Sequence, residues 1–130
     1  MSTAVFRICV FTCLTWLAVA CGGNLTARSI QVGKSLNSDH SVGTITTTFK
    51  PNDTIYAAVL TDGSGSGTIS AKFTYGGRVI AEPEKRVSMK GSGATEFHIE
   101  YSAGFPPGDY DIELFLNGQS VGTRRVRVEP

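Results

Sequence analysis

From residue 29 to the C-terminus, apolar and polar residues alternate with a period of two, and no window carries apolar residues at the three-and-four spacing of a helix. Gly, Asn, Asp and Pro punctuate the alternation at intervals of about ten residues. The pattern predicts strands over 29–32, 44–50, 54–61, 67–75, 78–82, 87–90, 95–102, 110–116 and 121–129. Short strands so spaced predict an all-β fold, an antiparallel β-sandwich of seven to nine strands.

Three segments sharpen this reading. In Thr95-Glu96-Phe97-His98-Ile99-Glu100-Tyr101 the odd positions from 97 are apolar and the even ones ionisable, which predicts one face on the core through Tyr101. Tyr110, Ile112, Leu114 and Leu116 repeat the pattern, with Asp109, Asp111 and Glu113 outward. The stretch 54–60 is apolar on both faces, as expected of a central strand or of one whose second face is covered. The last hairpin turns at Asn117-Gly118. A two-residue loop pairs Leu116 with Gln119 and would place Val126 and Val128 on the face of Asp109 and Asp111. A three-residue loop, Leu116-Asn117-Gly118 with Gly118 left-handed, shifts the parity, puts both valines on the core and sets Arg125 and Arg127 against the acidic face. The second arrangement is therefore predicted.

The N-terminus breaks the strand pattern. One positive charge, Arg7, precedes an apolar run over 8–20 that ends in Ala18-Val19-Ala20. Its length of about thirteen residues falls short of the roughly twenty needed to span a bilayer, so a cleaved signal peptide over 1–20 is expected. Of the twelve basic residues only Arg7 is lost on cleavage after Ala20, so the mature chain carries eleven of each sign and is formally neutral. Neutrality gives no electrostatic footprint for nucleic acid, and none is expected as a partner. Cys9, Cys13 and Trp16 also leave, so Cys21 is the one cysteine of the mature chain and no internal disulfide is possible. The domains expected are the signal peptide 1–20, a tether 21–28 and a β-sandwich 29–130.

Leu17-Ala18-Val19-Ala20-Cys21 resembles the lipobox of bacterial lipoproteins, although Ala18 stands where that family usually has Leu. The resemblance implies a diacylglycerol on Cys21, an N-terminal acyl chain such as palmitate, and, since Gly22 rather than Asp follows, retention on the outer membrane facing the periplasm or exterior. Two or three acyl chains at about 0.8 kcal/mol per buried methylene would hold the domain there. Phe105-Pro106-Pro107-Gly108-Asp109-Tyr110, followed by Asn117-Gly118 and Val126-Arg127-Val128, resembles the final hairpin of bacterial immunoglobulin-like and transthyretin-like sandwiches. Phe49-Lys50-Pro51-Asn52-Asp53-Thr54 is similar to a strand-to-strand corner of such domains. Together these motifs cover about half the mature chain, and they imply a fold rather than a ligand.

Candidate chemistry is sparse. Glu96, His98 and Glu100 share a predicted strand face at about 7 Å per step and are a possible metal set, against the simpler reading of a solvated face. A second histidine would be His40, in the loop over 33–43, which reads as flexible and polar. Asp109, Asp111 and Glu113 read as cross-strand partners of the arginines rather than calcium ligands or glycosidase acids. Asp62-Gly63-Ser64-Gly65-Ser66-Gly67 reads as a flexible loop; it lacks the lysine of a phosphate cradle, and no helix follows its Gly-Ser-Gly-Ser-Gly string to make a nucleophile elbow.

Two functions follow as expectations. One is a lipid-anchored, non-enzymatic binding or structural module of the bacterial envelope, with no cofactor and with an envelope protein or polysaccharide as partner. The other is a small metal-binding protein or metal-assisted hydrolase centred on His98.

Overall fold

A computed structural model of the protein describes residues 24–130. The expected signal peptide, the Ala20–Cys21 cleavage site and the lipidation of Cys21 lie outside the described residues. No helix among the described residues is long and apolar enough to cross a membrane.

The described chain is an immunoglobulin-like sandwich of nine strands: β1 Thr26–Gly33, β2 Thr48–Phe49, β3 Ile55–Asp62, β4 Ser64–Tyr75, β5 Arg78–Ala81, β6 Glu84–Lys90, β7 Gly93–Ile99, β8 Gly108–Leu116 and β9 Gln119–Val128. The smaller sheet has the order β1-β3-β7. The larger runs β2-β9-β8-β4-β5, with β6 also paired to β4. Its long strand β4 is held along one edge by β8 and along the other by β6 near its start and β5 near its end.

Alternation explains the layering. From β3, Ile55, Ala57, Val59 and Thr61 are buried; from the facing sheet, Ile69, Ala71, Phe73, Tyr110, Ile112, Leu114, Val126 and Val128 meet them in one core. The second apolar face of β3 is partly covered as well: Ala58 is buried, and Tyr56 and Leu60 are half-buried. As the sequence predicts, β3 is the central strand of its sheet.

Several expectations change in detail. The first strand begins at Thr26 rather than at 29, so residues 26–28 belong to the sheet. A methyl group on Gly63 would strike the Asn24 carbonyl oxygen, and one on Gly67 would touch Leu25, so the chain lies against β4 before β1 begins. The strand expected over 44–50 shrinks to Thr48–Phe49, and it pairs β9 in parallel, unlike the otherwise antiparallel ladders. The loop expected over 33–43 is closed on itself: Lys34 N–H donates to Thr44 O, Gly43 N–H to Ser35 O and Asn37 N–H to Ser41 O, while Val42 is buried. The glycine-serine segment is strand rather than loop, because Ser64 to Gly67 pair with Lys90 to Val87 and only Gly63 makes the turn.

The last hairpin reaches the predicted facing by another route. Its loop has two residues, Asn117 and Gly118, with φ of 52° and 80°, and Leu116 pairs with Gln119. Parity shifts beyond the turn instead: Phe115 pairs with Ser120 and Leu114 with Gly122, leaving Val121 as the extra residue of a bulge. Val126 and Val128 accordingly face the core, and Arg125 and Arg127 stand opposite Asp111 and Asp109.

Candidate functional site: an aromatic hollow at one end of the sandwich

Most turns lie at the two ends of the sandwich, whereas the 33–43 loop folds back beside β1, where Val42 N–H donates to Gln31 Oε1. At the first end, where β1 starts, lie Gly63, Gly91 and the Asn117-Gly118 turn. These are tied together by Gly91 N–H donating to Gly63 O, Asn117 N–H to Thr68 O and Thr68 N–H to Asn117 Oδ1. The opposite end carries the 50–54 corner, the Gly76-Gly77 turn and the segment 100–107 between β7 and β8.

At that opposite end the two sheets part around a hollow of about 350 Å³, lined by Tyr75, Ile80, Ala81, Ile99, Glu100, Tyr101, Phe105, Pro106 and Tyr110. Its floor is built by the Pro-Pro-Gly-Asp-Tyr motif. Tyr110 is buried at the start of β8 and donates its hydroxyl proton to Pro106 O, four residues back, at 2.7 Å. Tyr75, opposite Tyr110 in the ladder, donates to Pro107 O at 3.1 Å. The two rings stack at 4.4 Å between centroids, and Phe105 meets Tyr110 edge-on at 5.8 Å. Phe105 N–H donates to Pro51 O, which fixes the segment against the 50–54 corner. Burial, and to a lesser degree the neighbouring Tyr75, pushes the Tyr110 phenol up to about 12.

The rim is open. β7 ends at Ile99, so Tyr101, expected on the core, stands 55% exposed, and Ile80 across the hollow is 47% exposed. Residues 100–102 lie beyond the ladder, and Tyr101 and Glu100 border a second hollow of about 330 Å³, completed by Asn52 and Ser102. The second hollow is mainly polar where the first is mainly apolar. Alternation along the strand marked Tyr110 and Ile99, but the rim escaped it because its residues come from four separate segments. The exposed Ile80 on the short strand β5 was the one local sign.

The candidate metal set does not assemble. Glu96 and His98 share a face, with His98 Nδ1 at 3.1 Å from Glu96 Oε2, but Glu100 lies beyond the strand and borders the hollows. His40 sits in the 33–43 loop and joins no group of potential ligands with them. Glu96 is already engaged: Lys85 Nζ lies 3.5 Å from its Oε1 and donates to its backbone carbonyl at 2.6 Å. Burial raises the Glu96 carboxyl, but the His98 hydrogen bond and the Lys85 charge outweigh it and hold the group below its ordinary value. The His98 ring is tilted against Tyr56, its cross-strand partner, at 5.4 Å. No group of three or more potential ligands gathers among the described residues.

Asp109 and Asp111 of β8 pair with arginines as expected, whereas Glu113 pairs with a lysine of β4 instead. Asp111 receives both Nε (2.9 Å) and Nη2 (3.2 Å) of Arg125, Asp109 lies 3.4 Å from Arg127, and Glu113 lies 3.8 Å from Lys72. The Arg125 hydrogen bond draws the Asp111 carboxyl below its usual range. Ser64 and Ser66 are exposed strand residues with no elbow behind them.

No protein-family model matches the sequence, and no curated protein does. Among solved structures, the chain is similar to a β-glucosidase from Listeria innocua in complex with glucose, with a TM-score of 0.53 at 10% identity over 83% of this chain and 16% of that one. The same enzyme in complex with gluconolactone gives a TM-score of 0.53 at 11% identity, again over 83% and 16%. The likeness is therefore one of fold, and this chain spans about one sixth of the length of those it matches.

Proposed function

We propose that the protein is a lipid-anchored, non-enzymatic binding module of the bacterial cell envelope, held on the outer membrane through Cys21 and using the aromatic hollow as its binding surface. The observation that carries this reading is the position of the hollow. It opens at the end of the sandwich opposite Thr26, the first residue of β1, so a chain anchored five residues earlier at Cys21 presents it away from the bilayer. Its lining of tyrosines, phenylalanine and aliphatic side chains suits holding a ligand, as concave apolar sites with a few polar groups do.

The test is membrane fractionation with mass measurement of the mature N-terminus. Wild-type protein is expected with membranes and with acyl mass on Cys21. Cys21→Ser should move it to the soluble fraction with the fold intact. An unacylated wild-type chain cut after Ala20 would make this a secreted domain and remove the anchor.

A further inference from the structure

We propose that the hollow and the polar recess beside it together take a pyranose ring of a glycan, with its apolar face on Tyr101 and its hydroxyls toward Glu100, Asn52 and Ser102. The inference rests on the reading of the hollow as a binding surface and names the class of ligand. Tyr75 and Tyr110 have committed their hydroxyl protons to Pro107 O and Pro106 O, so the floor offers ring carbon rather than donors. Tyr101, more than half exposed, offers ring surface at the rim. Glu100 borders both hollows, and the further polar groups Asn52 and Ser102 enter in the recess that it shares with Tyr101.

A matching ligand must be apolar on one face and rich in hydrogen-bond donors along the adjoining edge. An ionised Glu100 accepts only, Asn52 offers both roles and so does Ser102. A pyranose has this division: its C–H bonds, positive at hydrogen, gather on one face and meet the negative face of an aromatic ring, while its hydroxyls ring the edge. A proline-rich segment would suit the aromatic floor but presents carbonyl acceptors to Glu100. A quaternary ammonium would need several free ring faces around it. Here Tyr110 is stacked on Tyr75 and packed against Phe105, which leaves no such cage.

The experiment uses the mature acylated protein in vesicles of phosphatidylethanolamine and phosphatidylglycerol, titrated calorimetrically with cellohexaose and chitohexaose and, as counter-probes, hexaproline and tetramethylammonium. Saturable binding of at least one hexaose is expected. Tyr101→Ala should weaken it about tenfold or more and Glu100→Gln should weaken it severalfold, both with an unchanged thermal midpoint, since each side chain is exposed. Failure of both hexaoses to bind, binding indifferent to Tyr101→Ala, or tighter binding of either counter-probe overturns the glycan assignment. The anchor is judged separately by acyl mass: glycan binding by a chain without acyl groups would overturn the anchor alone, and an acylated chain that binds no glycan would overturn the glycan site alone.

Discussion

Tyr110 does three things with one side chain: it fills the core beneath the hollow, stacks on Tyr75, and closes the Pro106 corner through its hydroxyl. The corner hydrogen bond and the burial both require the protonated phenol. The folded value near 12 lies above the value of about 10 for an unfolded tyrosine. Above pH 10 the unfolded chain thus binds fewer protons than the folded one, and stability falls as pH rises from about 10 to about 12, whereas below pH 10 the contribution is complete. Alkaline titration followed by tyrosinate absorbance should show one of the four tyrosines ionising last, together with loss of the β-sheet circular dichroism signal. Tyr110→Phe should abolish this alkaline step and cost about 1–2 kcal/mol at neutral pH, read from the denaturant midpoint, because the Pro106 carbonyl loses its donor. The inward position of Tyr110 was legible, since strict alternation along β8 put it on the core face. The outward position of Tyr101 was not: the same alternation put it inward too, and only the end of the ladder at Ile99 turns it out.

At the scale of the element, the β8–β9 hairpin shows how far charge and hydrophobicity specify register. Opposed Asp111–Arg125 and Asp109–Arg127 pairs and buried Val126 and Val128 together demand one parity shift, and that much is legible in the sequence. Where the shift occurs depends on a contact between sheets. Gly122 has a φ of 152°, and a methyl group there would stand 2.8 Å from Ile30 Cδ1 of β1. The bulge sits where β9 passes close under the smaller sheet, which local pattern does not reveal. Gly122→Ala is expected to destabilise the domain by about 1–3 kcal/mol, by strain at this φ and by displacing Ile30. A chemical denaturation curve with an unchanged slope and a lowered midpoint would report it.

The described residues form a sandwich with two unlike ends, one where β1 begins and one carrying the hollow. Fold class and most strands were legible because each depends on its own alternation. The hollow was not, since it exists only where β4, β5, the end of β7 and the 100–107 segment converge. Among the described residues β7 is paired on one side only, with β3. An unpaired strand edge is a template for another chain, and chains anchored in one membrane meet at the high local concentration of a two-dimensional layer. Lys85, reaching from the larger sheet to the Glu96 carbonyl, occupies an acceptor of this strand and sets a charge beside it. Lys85→Ala is expected to leave the soluble Cys21→Ser protein monomeric at low concentration yet promote its association as concentration rises, seen by sedimentation. If the proposed anchor holds the chains in one membrane, the same change would turn separate domains into strand-paired clusters, with a single ammonium group deciding whether neighbours stay apart.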